Sequence, residues 1–541
     1  MFKKTYVVII SLLAISLAAC ASTTPRSSST TTVSTAPLEK QSVPAMQPVS
    51  SAPTDRVATT ISSQSYPIVD TAQSKCYNAS VEIPCSSSSF AGQDAQYEGN
   101  APHYQDNGDG TVTDLVTGLM WQQDPGTKMT FDQAVEGAAS FDLAGYHDWR
   151  LPTIKELYSL ILLDGTDVSV CAHGTCTATP FIDTRYFKFS YGDASAGERM
   201  IDSQFASSTK YLGTVMDDRE GTFGVNFADG RIKGYPIAYP TNKTFYVLYV
   251  RGSSGYGQNS FVDNGDATIT DNATGLTWQQ SDSGAGMDWQ AALSYCEDLN
   301  FAGASDWRLP NAKELQSIVD YSRSPDTTHS AAIDPVFNVS AITDEAGQTD
   351  YPFYWSSSTH IDSSGQGSTA AYVAFGKALG YWNDAWRDVH GAGAQRSDPK
   401  TGSAADYPQG HGPQNDAVRV NNYVRCVRGG NVTLVTSGIA STARPSQQVI
   451  STGNPDNQPS RVPGQNGQGQ PGGMPGQGNS QSGALGDQEQ TPMSGPPQTA
   501  INACATSSQS SACQFTTPKG LLNGSCQFIQ QQLACVPSNR P

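Results

Sequence analysis

The sequence predicts a duplicated α+β protein, in which each copy packs two helices against a mostly antiparallel sheet. Three observations carry this. Several short words return in the same order along the chain. All eight Trp fall inside the repeated region. The flanks are Ser/Thr/Pro-rich or Gln/Gly/Pro-rich, compositions with too little apolar surface to offset the entropy of ordering.

The repeat comes first. "DNGDGTVTDLVTGLMWQQ" (Asp106–Gln123) returns as "DNGDATITDNATGLTWQQ" (Asp263–Gln280). "DWRLP" at Asp148–Pro152 returns at Asp306–Pro310, and "VRG" at Val250–Gly252 returns at Val427–Gly429. "SST" at Ser207–Thr209 aligns with Ser357–Thr359. Landmarks in constant order mark a duplicated unit. Copy 1 is assigned to residues 70–252 and copy 2 to residues 256–430.

Each word implies an element. "TVTD" and "GLMWQQ" surround a Gly-bearing turn, as a hairpin does. A helix follows. Trp289, Leu293 and Cys296 in copy 2, and Phe131, Val135 and Ala138 in copy 1, are spaced to form one buried face. DWRLP reads as a short strand with Trp149 and Leu151 inward and Arg150 on the other side. Thr153 and Asn311 each precede a Glu by three residues, the pattern of a capped second helix. "YVLYVRG" and "NYVRCVRG" read as closing strands.

Eleven Cys are present. Setting Cys20 aside leaves an even number, which suits an oxidising compartment. Cys76 with Cys85 and Cys171 with Cys176 read as local closures. Cys296 and Cys426 are both absent from copy 1, whose aligned residues are Ala138 and Tyr249. Joint presence and joint absence predict a bond between them. Cys504, Cys513, Cys526 and Cys535 belong to a small module, 501–541, that needs disulfides to stay folded.

The N-terminus reads as an address. Lys3 and Lys4 precede an apolar run that is too short to span a bilayer comfortably and ends in Leu17-Ala18-Ala19-Cys20. The stretch resembles a bacterial lipoprotein signal, 1–20, with Cys20 as the lipidated residue. Ala21 after it implies the outer membrane, and leaves open which way the protein faces. Residues 21–69 read as an unstructured stalk and 431–500 as a Gln/Gly/Pro linker. The net charge is −17. Such a surface repels polyanions and argues against a nucleic-acid partner.

Several stretches together resemble a family. "DNGDGTVTDLVTGLMWQ", "GYHDWRLPTIKEL", "YWSSST" and "YVRCVRG" are similar to the domain at the C-terminal end of the Legionella collagen-like adhesin. Residues 70–97 look like the lead-in to its first copy. More remotely, "RLPT-x-x-E" and the terminal "RCVR" are similar to formylglycine-generating enzymes and C-type-lectin-like folds. The resemblance implies two tandem lectin-like domains. It also implies non-catalytic recognition of a glycan, a surface polymer or an envelope or host-surface protein. The second expectation is an architectural envelope component, and the third an enzyme of the formylglycine-generating class.

Candidate sites are few. Asp106, Asp109 and Asp114 could line a calcium site. They do not fit an EF-hand, because Gly108 and Gly110 fall where ligands are required. The seven His show no zinc spacing, and there is no G-x-S-x-G or complete phosphate loop. No catalytic residue is expected. Copy 2 is longer than copy 1 between SST and VRG, and the extra length carries Trp382 and Trp386. Trp382, Asn383, Asp384, Trp386 and Arg387 are therefore the expected ligand-binding residues: aromatic faces stack on sugars while polar groups hold hydroxyls. "WND" also looks like the calcium-and-sugar tripeptide of C-type lectins.

Overall fold

The computed structural model describes residues 65–171, 175–216, 218–237, 243–435, 448–451, 503–504, 511–517, 520–529 and 532–537. Cys20, the signal, most of the stalk and most of the linker lie outside them. Two units separate near Arg461. Among the described residues no helix is long and apolar enough to cross a membrane.

Both copies of the first unit begin alike. In copy 1, Tyr104–Asp106, Thr111–Asp114 and Met120–Gln122 form an antiparallel sheet completed by Val250–Arg251. In copy 2 the same places are taken by Phe261–Asp263, Thr268–Asp271, Leu276–Gln279 and Val427–Gly429. Trp121 pairs with Val250 as Trp278 pairs with Val427. All four are fully buried.

The first helix spans Phe131–Ala138 in copy 1 and Trp289–Glu297 in copy 2. Thr130 and Asp288 cap them by accepting from Gln133 N–H and Ala291 N–H. Trp289, Leu293 and Cys296 are buried, as their spacing predicts. In copy 1 the same face is narrower, since Phe131 and Ala134 are buried like their counterparts Trp289 and Ala292 but the counterpart of Leu293 is not. Val135 is exposed, and Phe131 and Ala134 make the contact. Tyr249 stands where copy 2 has Cys426 and donates its hydroxyl to the Ala134 carbonyl at 2.9 Å. In copy 2, Cys296 and Cys426 are bonded.

The repeated words are one another's partners. The Asp of DWRLP takes the Arg of VRG: Arg251 Nε donates to Asp148 at 2.7 Å and Arg428 Nε to Asp306 at 2.6 Å. The Arg of DWRLP forks onto the capping Glu of the second helix (Ile154–Tyr158 or Ala312–Ser317). Arg150 meets Glu156 at 2.7 and 2.5 Å, and Arg308 meets Glu314 at 2.5 and 2.6 Å. The Pro carbonyl accepts from the serine word: Ser208 N–H to Pro152 at 2.7 Å, Ser357 N–H to Pro310 at 2.8 Å. These bonds correct the alignment by one residue. Ser207-Ser208-Thr209 matches Ser356-Ser357-Ser358, since Ser207 and Ser356 hydroxyls donate to the equivalent carbonyls of Phe223 and Ala371.

The copies are fused through a single six-stranded sheet. Its order is Phe353–His360, Thr369–Ala374 and Gln395–Pro399 from copy 2, then Arg231–Pro236, Gly221–Asn226 and Gln204–Lys210 from copy 1. At the seam Ile232 pairs with Gln395. Ile232 pairs with Val225 within copy 1 as Gln395 pairs with Val373 within copy 2. The seam therefore joins a residue to its own counterpart, the mark of a local two-fold axis. The second helices obey the same axis. Lys155 Nζ donates to the Ser317 carbonyl at 2.7 Å, and Lys313 Nζ donates to the Ser159 carbonyl at 2.9 Å. Burial pushes these amines down, to about 8 for Lys155 and about 7 for Lys313. One apolar core runs across the seam and includes Leu157, Ile161, Phe223 and Ile232 with Leu315, Ile318 and Val373.

The edges of the folded region differ from the composition-based boundaries. Tyr66 and Val69, inside the expected stalk, are buried, because the apolar "YPIV" ends a Ser/Thr/Pro tract. Within the expected linker, Thr433–Leu434 pairs with Tyr97–Glu98 and Gln448–Ser451 with Thr175–Ala178. Cys76–Cys85 closes the lead-in, and Cys171 is disulfide-bonded. The Cys176 side chain lies outside the described residues. The second unit is a three-stranded antiparallel sheet, Ala512–Thr517, Gly520–Ile529 and Gln532–Pro537, with bonds Cys504–Cys526 and Cys513–Cys535. The architecture as a whole is mostly sheet, with few and short helices.

Candidate functional site

In copy 1 the two inner sheet strands are joined by a short turn, 227–230. In copy 2 the matching strands are joined by residues 375–394. This excursion is a hairpin, Leu379–Trp382 against Ala385–Asp388, with Tyr381 opposite Trp386 and Trp382 opposite Ala385. Its two turn residues, Asn383 and Asp384, have φ of 50° and 58°. Two successive left-handed residues are what a tight hairpin turn requires, and Asn and Asp tolerate them best. The "WND" tripeptide thus owes its Asn and Asp to the turn.

The hairpin is held at its base. Tyr381 N–H donates to the Asn415 carbonyl at 2.8 Å and Ala417 N–H to the Leu379 carbonyl at 2.9 Å. Gly380 is needed here, since a Cβ would lie 2.6 Å from the Gln414 carbonyl oxygen. On the copy 1 side, Tyr211 hydroxyl donates to Asp388 at 2.7 Å. Burial pushes the Asp388 carboxyl up to about 7. Asp416 pairs with Arg396 and lies 2.7 Å from His390 Nε2.

The tip is a different surface. Asn383, Asp384 and Arg387 are exposed, and Tyr381, Trp382 and Trp386 are half-buried. Trp386 meets Tyr381 edge-on at 5.4 Å. The other six Trp (121, 149, 278, 289, 307 and 355) are all buried core. The five predicted ligand-binding residues thus lie together at one tight turn.

The aspartates of "DNGDG" do not gather in this way. Asp106 accepts from Gly108 N–H at 2.9 Å, Asp109 from Thr111 N–H at 3.1 Å, and Asp114 from Val116 N–H at 2.9 Å. Asp114 is fully buried under its own turn. Among the described residues the one group close enough to share a metal is Cys504, Cys513 and Cys526, and all three are in disulfides. Asp106, Asp109 and Asp114 each brace their own turn.

Sequence reasoning missed two features at the seam. The first is a cleft of about 370 Å³ between Thr153–Lys155 of copy 1, Gln258 and Asn259 of the connection, and Asp320–Ser322 of copy 2. The signal for it was the Lys common to "TIKEL" and "NAKEL". The second is a buried charge cluster. Arg231 pairs with Asp167 at 2.6 Å, and His360 of copy 2 stacks on Phe181 of copy 1 with its Nε2 2.8 Å from the Asp229 carbonyl. Arg231 and His360 outweigh burial and hold Asp167 down at about 2.

Burial, helped by the Arg231 charge, pushes His360 down to about 4 from 6.5. The unfolded chain takes up this proton near pH 6.5, whereas the folded chain refuses it until about pH 4. Stability contributed by neutral His360 is thus complete above 6.5 and falls as pH drops through that window. The loss is on the order of 3 kcal/mol. His360→Gln is expected to flatten the fall in urea-unfolding free energy between these two pH values. A slope equal to wild type would contradict the assignment.

The family description "Lcl C-terminal domain" matches residues 110–251 and residues 267–392. The second match includes the hairpin. No curated protein matches the chain. No solved structure matches it either. Residues 110–392 thus hold two tandem copies of the Lcl C-terminal domain, an adhesin-related domain.

Proposed function

We propose that this is a non-catalytic attachment protein, anchored in the outer membrane by a lipid on Cys20, whose copy 2 hairpin recognises a glycan or another surface polymer. The observation that carries the reading is the division of the tryptophans. Six serve the core, and the two that do not share one turn with Tyr381 and three exposed polar residues. Half-buried Trp on a rigid support is the usual anchor of a binding surface. A bond from the first helix to the edge of the last strand, Cys296–Cys426, supports a lectin-like reading of copy 2. A protein ligand would use the same aromatic surface.

A glycan array probed with the purified chain tests this. Trp382→Ala with Trp386→Ala is expected to weaken any discrete hit by about 30-fold or more, the scale of a lost hot spot. Unfolding free energy should move by only about 1 kcal/mol, because neither side chain is core. Binding that survives both substitutions would remove the hairpin from the account.

A further inference from the structure

The two-fold axis gives the protein two equivalent clefts, and among the described residues only one is filled. The filled cleft is bounded by Lys313 and Thr359 of copy 2 and Leu163 of copy 1, and the chain's own segment Asp70–Gln73 runs through it. Lys313 Nζ donates to the Asp70 carbonyl at 3.0 Å, and Leu163 N–H donates to the Thr71 carbonyl at 2.8 Å. Gln73 Nε2 donates to the carbonyls of Leu163 at 3.1 Å and Thr359 at 2.7 Å, while its Oε1 accepts from Thr359 N–H at 2.8 Å. Asp70, Thr71 and Gln73 are all buried.

The open cleft is the mate of this one. Lys155 takes the place of Lys313, and Tyr321 the place of Leu163. The register is fixed by matching bonds, since Leu162 N–H donates to Phe181 as Asp320 N–H donates to Ala332. Lys155 makes the same two bonds as Lys313, but its second acceptor is the Asn259 side chain at 2.8 Å, standing in for the Asp70 carbonyl. The backbone bonds that Leu163 makes to the lead-in have no equivalent at Tyr321 among the described residues.

We propose that the open cleft binds a short polypeptide segment of a partner, bent as Asp70–Gln73 is at Ala72 (φ 60°) and held as the mate holds it, through main-chain carbonyls and a Gln side chain. Uncharged side chains such as those of Thr71, Ala72 and Gln73 suit the width that the lead-in uses. Asp320 replaces Leu162 at the rim, so a segment with Lys or Arg beside the anchor is favoured. This site is separate from the hairpin and does not depend on it.

The test uses the full chain and a fluorescent peptide with the sequence of residues 65–75, which carries Lys75 beside the anchor. Saturable binding at one peptide per chain is expected. Ser322→Trp puts a large ring into the cleft from an exposed position and should weaken binding about tenfold or more. Gln258→Trp, also exposed, does the same from the opposite wall if the first variant fails to fold. Trp382→Ala with Trp386→Ala should leave the affinity unchanged. No saturable binding to wild type would overturn the proposal. So would equal affinity for the cleft-filling variants, which would mean exchange into the occupied mate, or displacement of the peptide by neutral oligosaccharides.

Discussion

Replacing Arg308 with Ala is expected to destabilise the first unit by about 3–5 kcal/mol, the range for stranding one member of a buried ion pair. Arg308 and Glu314 are 5% and 2% exposed, and the fork between them leaves neither carboxylate oxygen without a donor. Glu314 also accepts from Asn311 N–H at 2.9 Å, so losing the Arg loosens the start of the second helix as well. The same change in copy 1 should cost less. Arg150 is 30% exposed, and water can replace it at Glu156. Urea unfolding of the two variants side by side checks this. Equal losses would mean that the fork, not its burial, sets the energy. Arg308→Met with Glu314→Gln should recover much of the loss, since no charge is stranded and the Gln amide oxygen still accepts from Asn311 N–H.

Cys296→Ser with Cys426→Ser is the second large effect. The bond closes a loop of 130 residues. Its removal frees the unfolded chain by about 5 kcal/mol in the chain-entropy treatment. The seam dictates how that loss appears. Because one core and one sheet run through both copies, the variant should melt in a single transition at lower temperature. Calorimetry that resolved an early copy 2 transition from an unshifted copy 1 would show that the copies are energetically independent.

The parts legible in the sequence were those written in local or repeated patterns. The opening hairpin of each copy, the capping residues of the second helices and the Cys296–Cys426 bond could each be read from spacing or from comparing one copy with the other. The helix face in copy 1 was misplaced at Val135, where burial depends on what distant segments such as Tyr249 bring against the helix and not on its spacing alone. The seam was illegible for a related reason. Ile232 and Gln395 share no motif, and their pairing depends on a two-fold relation that alternation along one strand does not encode. The five hairpin residues were found as a group because insertions stand out against a duplicate. The reason for Asn383 and Asp384 became plain only from their backbone angles.

The lead-in's position has a mechanical consequence. Gln73 bonds to Leu163 of copy 1 and to Thr359 of copy 2 through one side chain. A pull applied at the N-terminal end therefore reaches both halves together, before it can peel either strand system from its edge. Bonds loaded side by side in this way share the tension, whereas bonds loaded in series break one after another. A chain tethered upstream of Tyr66 would resist drag as one body, and its weakest point would be the lead-in segment itself.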